Sequence, residues 1–282
     1  MNKQAFTHPS VNYKFDQDNF AVEDESLSLK YFEEQIIDSQ KYWRRFGGRP
    51  DFSGKVVLEI GCGHGALSID AAISGAQQVI GLDLISDRIT FARRIVAERF
   101  PDIANKIEFH QLDIDNMTTL DGKVDVIISK DTFEHIMGID RILVSIKRLL
   151  REGGLLITGF SPLYYSPYGD HGFHAIGQPI KLPWAHLILG DARVVAAYNK
   201  YHEAVESHSG VECHSVYELG LNKLTRREFL QAFDQAGFAI VSETVNAVQG
   251  ASKLMPLLRL LNKVPGLEDY TTVNMYVIAR KI

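Results

Sequence analysis

Residues Val56 to Ile60 form a short apolar run, broken only by Glu59, that leads straight into Gly61, Gly63 and Gly65 with Cys62 and His64 between them. Such a run suits a parallel strand covered on both faces. The glycines allow backbone angles closed to other residues and let the chain approach a ligand closely. Ala66 to Ser74 then fit a helix, within about 64 to 75, whose N-terminal amides face that ligand. A strand, a glycine turn and a helix in this order predict a cofactor loop at the end of a strand. Glu59 bears on which cofactor. A carboxylate two residues before the first glycine repels a pyrophosphate and attracts a cationic amino group, such as an amino-acid-bearing cofactor carries. The same glycines, read as Gly61-x-Gly63-x-x-Ala66, also satisfy the tolerant dinucleotide fingerprint, so a nicotinamide or flavin site is the competing reading.

Around this loop the chain alternates. Strand-like runs at Val56 to Ile60, Gln78 to Leu82, Ile107 to Gln111, Val124 to Ser129 and Leu155 to Gly159 are separated by helical segments at about 64–75, 86–99, 115–119 and 135–150. That alternation argues a parallel, doubly wound sheet. Before it, Leu27, Leu29, Tyr31, Phe32, Ile36, Ile37, Tyr42, Trp43 and Phe46 predict one or two helices with an apolar face. After it, Thr225-x-x-Glu228 opens a helix to Ala236 with a capping box, Phe238 to Thr244 follows as a strand, and Thr271 to Ala279 is a last strand. The expected organisation is a helical lid segment over 1–50, a cofactor-binding core over 51–160, a cap over 161–224 and the rest of the core over 225–282. With a formal net charge of −5 over 282 residues, there is no basic footprint for nucleic acid. Two distant cysteines, Cys62 and Cys213, argue against a disulfide framework and for a reducing cytoplasm. No run is long enough for a membrane span, and Met1 to Asn19 lacks an apolar signal core.

Glu59, Gly61, Gly63 and Gly65 together resemble the first motif of class I S-adenosylmethionine-dependent methyltransferases, an acid-x-Gly-x-Gly-x-Gly segment closing the first strand. The resemblance covers 55–160 by motif and 225–282 by order of elements. It implies a seven-stranded, mostly parallel sheet with an antiparallel last strand, a cap inserted after the fifth strand, and S-adenosylmethionine as cofactor. Asp83, about twenty residues past the first glycine, is placed to accept both ribose hydroxyls under either cofactor reading. The resemblance further implies that Asp113 holds the adenine amino group between Leu84, Leu112 and Ile114. It also implies that Ser129, Lys130 and His135, after the fourth strand, wall the methionine part. Asp131 and Glu134 in the same segment also suit the start of a helix.

Residues 161–224 have no counterpart in that core. They follow the carboxyl end of the fifth strand, where open α/β sheets bind ligands, so they are expected to cap an acceptor. Methyl transfer from a sulfonium is an in-line displacement, and a hydroxyl nucleophile must lose a proton to a base. His171, His174 and His186 are the candidate bases, with Asp170 to orient an imidazole. Tyr164, Tyr168, Phe173 and Trp184 are the candidate acceptor-pocket aromatics. No metal is expected, since Asp170, His171, His174, His202 and Glu206 match no recognised ligand spacing. The leucine-rich stretch 246–269 could cover a hydrophobic acceptor, form a homodimer contact or pack on the core. The function expected is O-methylation of a small-molecule acceptor. A nucleotide-dependent oxidoreductase and a catalytically silent binding module are the alternatives.

Overall fold

The computed structural model describes residues 25–176, 181–204, 212–247 and 254–282. Its centre is one sheet of β1 (Val56–Ile60), β2 (Gln78–Asp83), β3 (Ile107–Gln111), β4 (Val124–Lys130), β5 (Leu150–Phe160), β6 (Phe238–Val245) and β7 (Met275–Lys281). The strands lie in the order β3-β2-β1-β4-β5-β7-β6. β1 to β5 pair in parallel, and β7 inserts antiparallel between β5 and β6. This is the expected doubly wound, mostly parallel seven-stranded sheet with an antiparallel last strand. The strand order reverses between β1 and β4, and a crevice opens there beyond the carboxyl ends.

The two faces are covered separately, and the strand period of two assigns each residue its side. Leu58, Ile80, Ile127 and Leu156 pack under α4 (Ile139–Leu149) and α7 (Arg226–Gln235) with Leu143, Phe229 and Phe233. Their neighbours Val57, Val79, Val126 and Ile157 pack under α1 (Glu25–Arg44), α2 (Ala66–Ile73) and α3 (Ser86–Arg99) with Phe32, Trp43, Ile69 and Ile95. α1 is a single helix pinned to the sheet. The Tyr42 hydroxyl donates to the Ser129 carbonyl at 2.6 Å, and Trp43 Nε1 donates to Asp70 at 2.6 Å. The Lys130 ammonium lies 2.8 Å from Asp38 and also bonds Gln35.

Several boundaries differ from expectation for local reasons. α2 starts at Ala66 because Gly65, at φ +85°, sits in the left-handed region that ends the loop. The helix expected over 115–119 is one 3-10 turn, Ile114–Asn116, capped by Asp113. α4 starts at Ile139 after Gly138, and Phe133–His135 forms a separate turn. The leucine-rich stretch resolves into α8 (Met255–Leu261) and α9 (Glu268–Thr271), with 248–253 outside the described residues. Of Leu257, Leu258 and Leu260, only Leu258 is buried, so its packing is partial. α7 carries the predicted capping box: Glu228 N–H donates to the Thr225 hydroxyl while the Glu228 carboxylate accepts from Thr225 N–H at 2.8 Å.

Candidate active site

A cleft of about 1380 Å³ opens beyond β1, β2 and β4. Its floor is the glycine loop. Gly61 and Cys62 donate to the Leu82 carbonyl at 2.8 and 2.9 Å, tying the loop to β2. Gly61 has φ +69°, and an added Cβ would collide with Thr132, so this position has no room for a side chain. Gly63 has φ +51° but faces open space, with no described atom within 4 Å of an added Cβ. One glycine thus serves packing and the other leaves room for a ligand. Between them, burial pushes the Cys62 thiol well above its usual range, so it stays a protonated apolar wall.

Three strand-end carboxylates edge the floor. Glu59 is buried, accepts from the Ser68 hydroxyl at 2.5 Å, and is pushed up to about 8 by burial, against the opposing pull of Ser68 and Lys130. A buried neutral carboxyl of this kind ionises when a cation docks beside it. Asp83 accepts from Gly63 N–H at 2.8 Å and from Ile85 N–H at 3.0 Å, which fixes its plane at the cleft edge. Asp113 accepts from Asp115 N–H at 3.0 Å and has Arg141 4.0 Å away. Leu84, Leu112 and Ile114 line the same edge. The cleft therefore brings together Glu59, Gly61, Cys62, Gly63, Asp83, Leu84, Asp113, Ile114, Lys130 and His135. Lys130 differs in one respect, since its ammonium is occupied by α1, as described above.

Beyond β4 the cleft continues under the cap. His171 lines it at φ +57°, its ring stacked on that of His135 with centroids 5.1 Å apart. Burial pushes His171 down to about 4, so the ring is neutral at neutral pH, and its Nε2 is buried without a hydrogen-bond partner. His135 Nδ1 donates to the Gly220 carbonyl at 2.7 Å, leaving its Nε2 with the lone pair. Glu134 is buried beside them. One of its oxygens accepts from Ser161 N–H at 3.3 Å, the other has no partner, and burial holds its carboxyl well above the ordinary range. The sequence reading of Glu134 as a helix-start acid did not anticipate this. Its separation from α4 by Gly138 was the available signal. Tyr31 and Gln35 of α1 and Tyr198 and Asn199 of α6 (Asp191–Ala204) also enter the lining unforeseen.

The remaining cap candidates are corrected by their placement. His174 and His186 are buried outside the cleft, where both face Asp170. Tyr164 is packed with Val194, Val195 and Val216, and its hydroxyl donates to Asp191 at 2.6 Å. Phe173 packs on Tyr198, with ring centroids 5.1 Å apart. Tyr168 is on the surface, and Trp184 donates from Nε1 to the Tyr270 carbonyl at 2.9 Å, tying the cap to α9. None of these four aromatics lines the cleft. Tyr164 and Phe173 belong to the cap's own small core, and a composition-based reading cannot separate such aromatics from those of a ligand pocket.

Residues 51–166 match the methyltransferase domain family. Protein arginine N-methyltransferase 1 of Dictyostelium discoideum is 30% identical over 177 residues, covering 58% of this chain and 47% of that protein. Fatty-acid O-methyltransferase of Mycolicibacterium smegmatis is 31% identical over 159 residues, covering 56% and 54%. The chain thus spans about half the length of these curated relatives. Among solved structures, an S-adenosylmethionine-dependent methyltransferase from Mesorhizobium loti superposes with a TM-score of 0.57 at 18% identity, covering 87% of this chain and all of that one. One expectation is overturned. Several relatives are named protein arginine N-methyltransferases, so the small-molecule acceptor inferred from charge and composition does not stand. The glycine loop, the sheet order and these matches agree on the cofactor, S-adenosylmethionine, and residues 51–166 belong to the methyltransferase domain family.

Proposed function

We propose that this protein transfers the methyl group of S-adenosylmethionine to an oxygen nucleophile held between the ends of β4 and β5 and the cap, with His171 as general base. Glu59 takes the cofactor's ammonium, Asp83 its ribose hydroxyls and Asp113 its adenine amino group, with Leu84 and Ile114 against the adenine faces. The sulfonium then points past β4. The acceptor oxygen attacks the methyl carbon in line, the C–S bond breaks to leave neutral S-adenosylhomocysteine, and the acceptor proton passes to the neutral His171 ring. The observation that carries this reading is the continuity of one cleft from Glu59 to His171, the one cap-histidine candidate that lines it. Its volume exceeds the roughly 300–1,000 Å³ of an ordinary ligand site, leaving room for cofactor and acceptor together. A relative named as a fatty-acid O-methyltransferase supports oxygen as the target.

A second reading is favoured by Glu134. A buried carboxyl with an unpartnered oxygen in the acceptor wall, with Asp131 beside it in the lining, suits the forked donors of an arginine guanidinium. The relatives named arginine N-methyltransferases point the same way. The test is label transfer from methyl-tritiated cofactor to two panels, one of hydroxyl and carboxyl acceptors and one of arginine-containing peptides. Label on the first panel, lost in His171→Ala, supports oxygen transfer. Label confined to arginine peptides and lost in Glu134→Gln, with His171→Ala active, replaces it.

A further inference from the structure

The cap holds a second constellation, apart from the cleft. Asp170, His174 and His186 are 0%, 8% and 0% exposed. Their hydrogen bonds fix the ring tautomers. His174 donates to Asp170 Oδ2 from its backbone N–H and from Nδ1, each at 2.7 Å. His186 Nε2 lies 2.7 Å from the Tyr164 carbonyl, which can only accept, so Nε2 carries the proton. The lone pairs are therefore on His174 Nε2 and His186 Nδ1, and both atoms are buried with no hydrogen-bond partner. Among the described residues, the ion-pair partners of Asp170 within 4.0 Å are these two histidines, with no lysine or arginine.

Two dehydrated imidazole lone pairs beside a buried carboxylate are costly as a polar network and favourable as a ligand set. His₂-carboxylate is a donor set for zinc and related divalent transition ions. The Tyr164 carbonyl on the far nitrogen of His186 is the kind of outer contact that orients metal-bound imidazoles. The spacing also fits. Asp170 Oδ1 and His186 Nδ1 are 3.6 Å apart, and one donor atom from each of the three residues falls within 4.8 Å of the others. Ligands about 2.0–2.1 Å from a tetrahedral ion stand roughly 3.4 Å from one another, so the shell closes when the His174 ring, which here gives its Nδ1–H to Asp170, turns over to aim its lone pair at the point that Asp170 and His186 already face.

We propose that Asp170, His174 and His186 bind a divalent transition ion, with Zn²⁺ the best match, as a staple inside the cap. The ion joins the turn at 170–174 to α5 (Ala185–Leu189). It thereby fixes the segment from which His171, the next residue after Asp170, reaches into the cleft. The staple needs His186, which lies sixteen residues from Asp170, in place of the His171 that sequence spacing grouped with it. His171 faces the cleft instead.

The test uses the full chain without an affinity tag, stripped with a chelator and titrated with ZnCl₂ against a chromophoric competitor. The expected result is uptake of about one equivalent with a higher melting temperature, since a ligand that binds only the folded state stabilises it. The near-isosteric variants Asp170→Asn, His174→Gln and His186→Gln should lose about 100-fold or more in zinc affinity while binding S-adenosylhomocysteine as the parent does. Anomalous scattering at the zinc edge from wild-type crystals locates the ion whether or not the variants fold. A peak among these three side chains sustains the site. No uptake by the wild-type protein, a peak elsewhere, or folded variants with unchanged zinc affinity overturns it, and the cluster is then a hydrogen-bonded core.

Discussion

The cofactor wall and the cap bound one cleft, yet they are built by opposite routes. In the wall, each acid or glycine sits at or just past the end of a strand: Glu59 and Gly61 at β1, Asp83 at β2, Asp113 after β3. Strand pairing fixes those ends relative to one another, so position along the strands sets where these residues converge. In the cap, the lining comes from His171, Tyr198, Asn199 and Glu218 to Gly220, spread over fifty residues with no period. Their convergence depends on how short helices pack, and adjacent residues part company: Asp170 turns inward to the buried cluster while His171 turns to the cleft. The comparison teaches that a site on strand ends is a local property of the chain, and a site on packed loops is a tertiary one.

The largest effect is expected where the cap meets the chemistry. His171→Ala should lower turnover by about 10²-fold or more, since a positioned base contributes about 10²–10⁴-fold and a ring held near 4 is a weak one. Its affinity for S-adenosylhomocysteine should stay within about twofold, since no direct cofactor hydrogen bond is assigned to it. Tyr168→Ala, on the exposed surface, should change neither. Steady-state kinetics with calorimetric binding separates the two regions, and a His171 variant that loses cofactor affinity and turnover in parallel would merge them.

Next is Asp83→Ala. In the proposed placement Asp83 accepts two ribose hydroxyls, charge-assisted bonds worth about 1.5–3 kcal/mol each, so affinity for S-adenosylhomocysteine should fall at least about 100-fold. Gly63→Val should do the same by filling the open face of the loop, at a backbone angle that valine adopts with strain. Circular dichroism should report folded protein in both. Retained affinity in both variants would mean that the cofactor does not lie on this floor.

These two tests divide along what the sequence made legible. The strand order, the antiparallel β7 and the ten wall residues lining the cleft could be placed from apolar runs, glycine spacing and family resemblance. The cap's content could be seen only as composition. Tyr164 and Trp184 had the chemistry of a pocket, and folding used it for packing and for a tie to α9. Glu134 was hidden for a different reason. A carboxylate near a helix start is ordinarily solvated, and only the closure of Ser161 and Asn222 over its turn buries it.

A smaller, pH-dependent effect should come from Glu59. Burial raises its carboxyl to about 8 in the free protein, above the unfolded value of roughly 4.3. Between those values the folded chain binds the extra proton, so this group's contribution to stability is full below about pH 4 and is lost as pH rises through about 8. In the proposed placement the cofactor's ammonium docks beside Glu59, which favours the ionised form and expels that proton. Affinity for S-adenosylhomocysteine should therefore rise up to about tenfold per pH unit below 8 and level off above it. Calorimetry near pH 7 in two buffers of different ionisation heat should detect release of close to one proton. Glu59→Gln should flatten the pH dependence and abolish the release; a parent protein releasing no proton would show that Glu59 is already ionised or does not meet the ammonium.

The smallest effect sharpens the comparison at its boundary, because Lys130 belongs to the wall by position and to α1 by contact. Its ammonium is committed to Asp38 at 2.8 Å and to Gln35, so it reaches the cofactor only through the helix it holds and through its charge on Glu59. A partly exposed pair of this kind is worth about 0–1 kcal/mol, so Lys130→Met should weaken S-adenosylhomocysteine binding by no more than about fivefold. Two further signs distinguish this indirect role from direct contact. Backbone amides of α1 should exchange faster in the variant, since the helix loses its tie to the end of β4. The pH at which affinity levels off should also move upward, because the nearby positive charge that favours ionised Glu59 is gone. A tenfold or larger loss of affinity with α1 exchange unchanged would mean that Lys130 touches the cofactor itself, and the boundary between the wall and α1 would then run between β4 and α1 instead of through their shared ion pair.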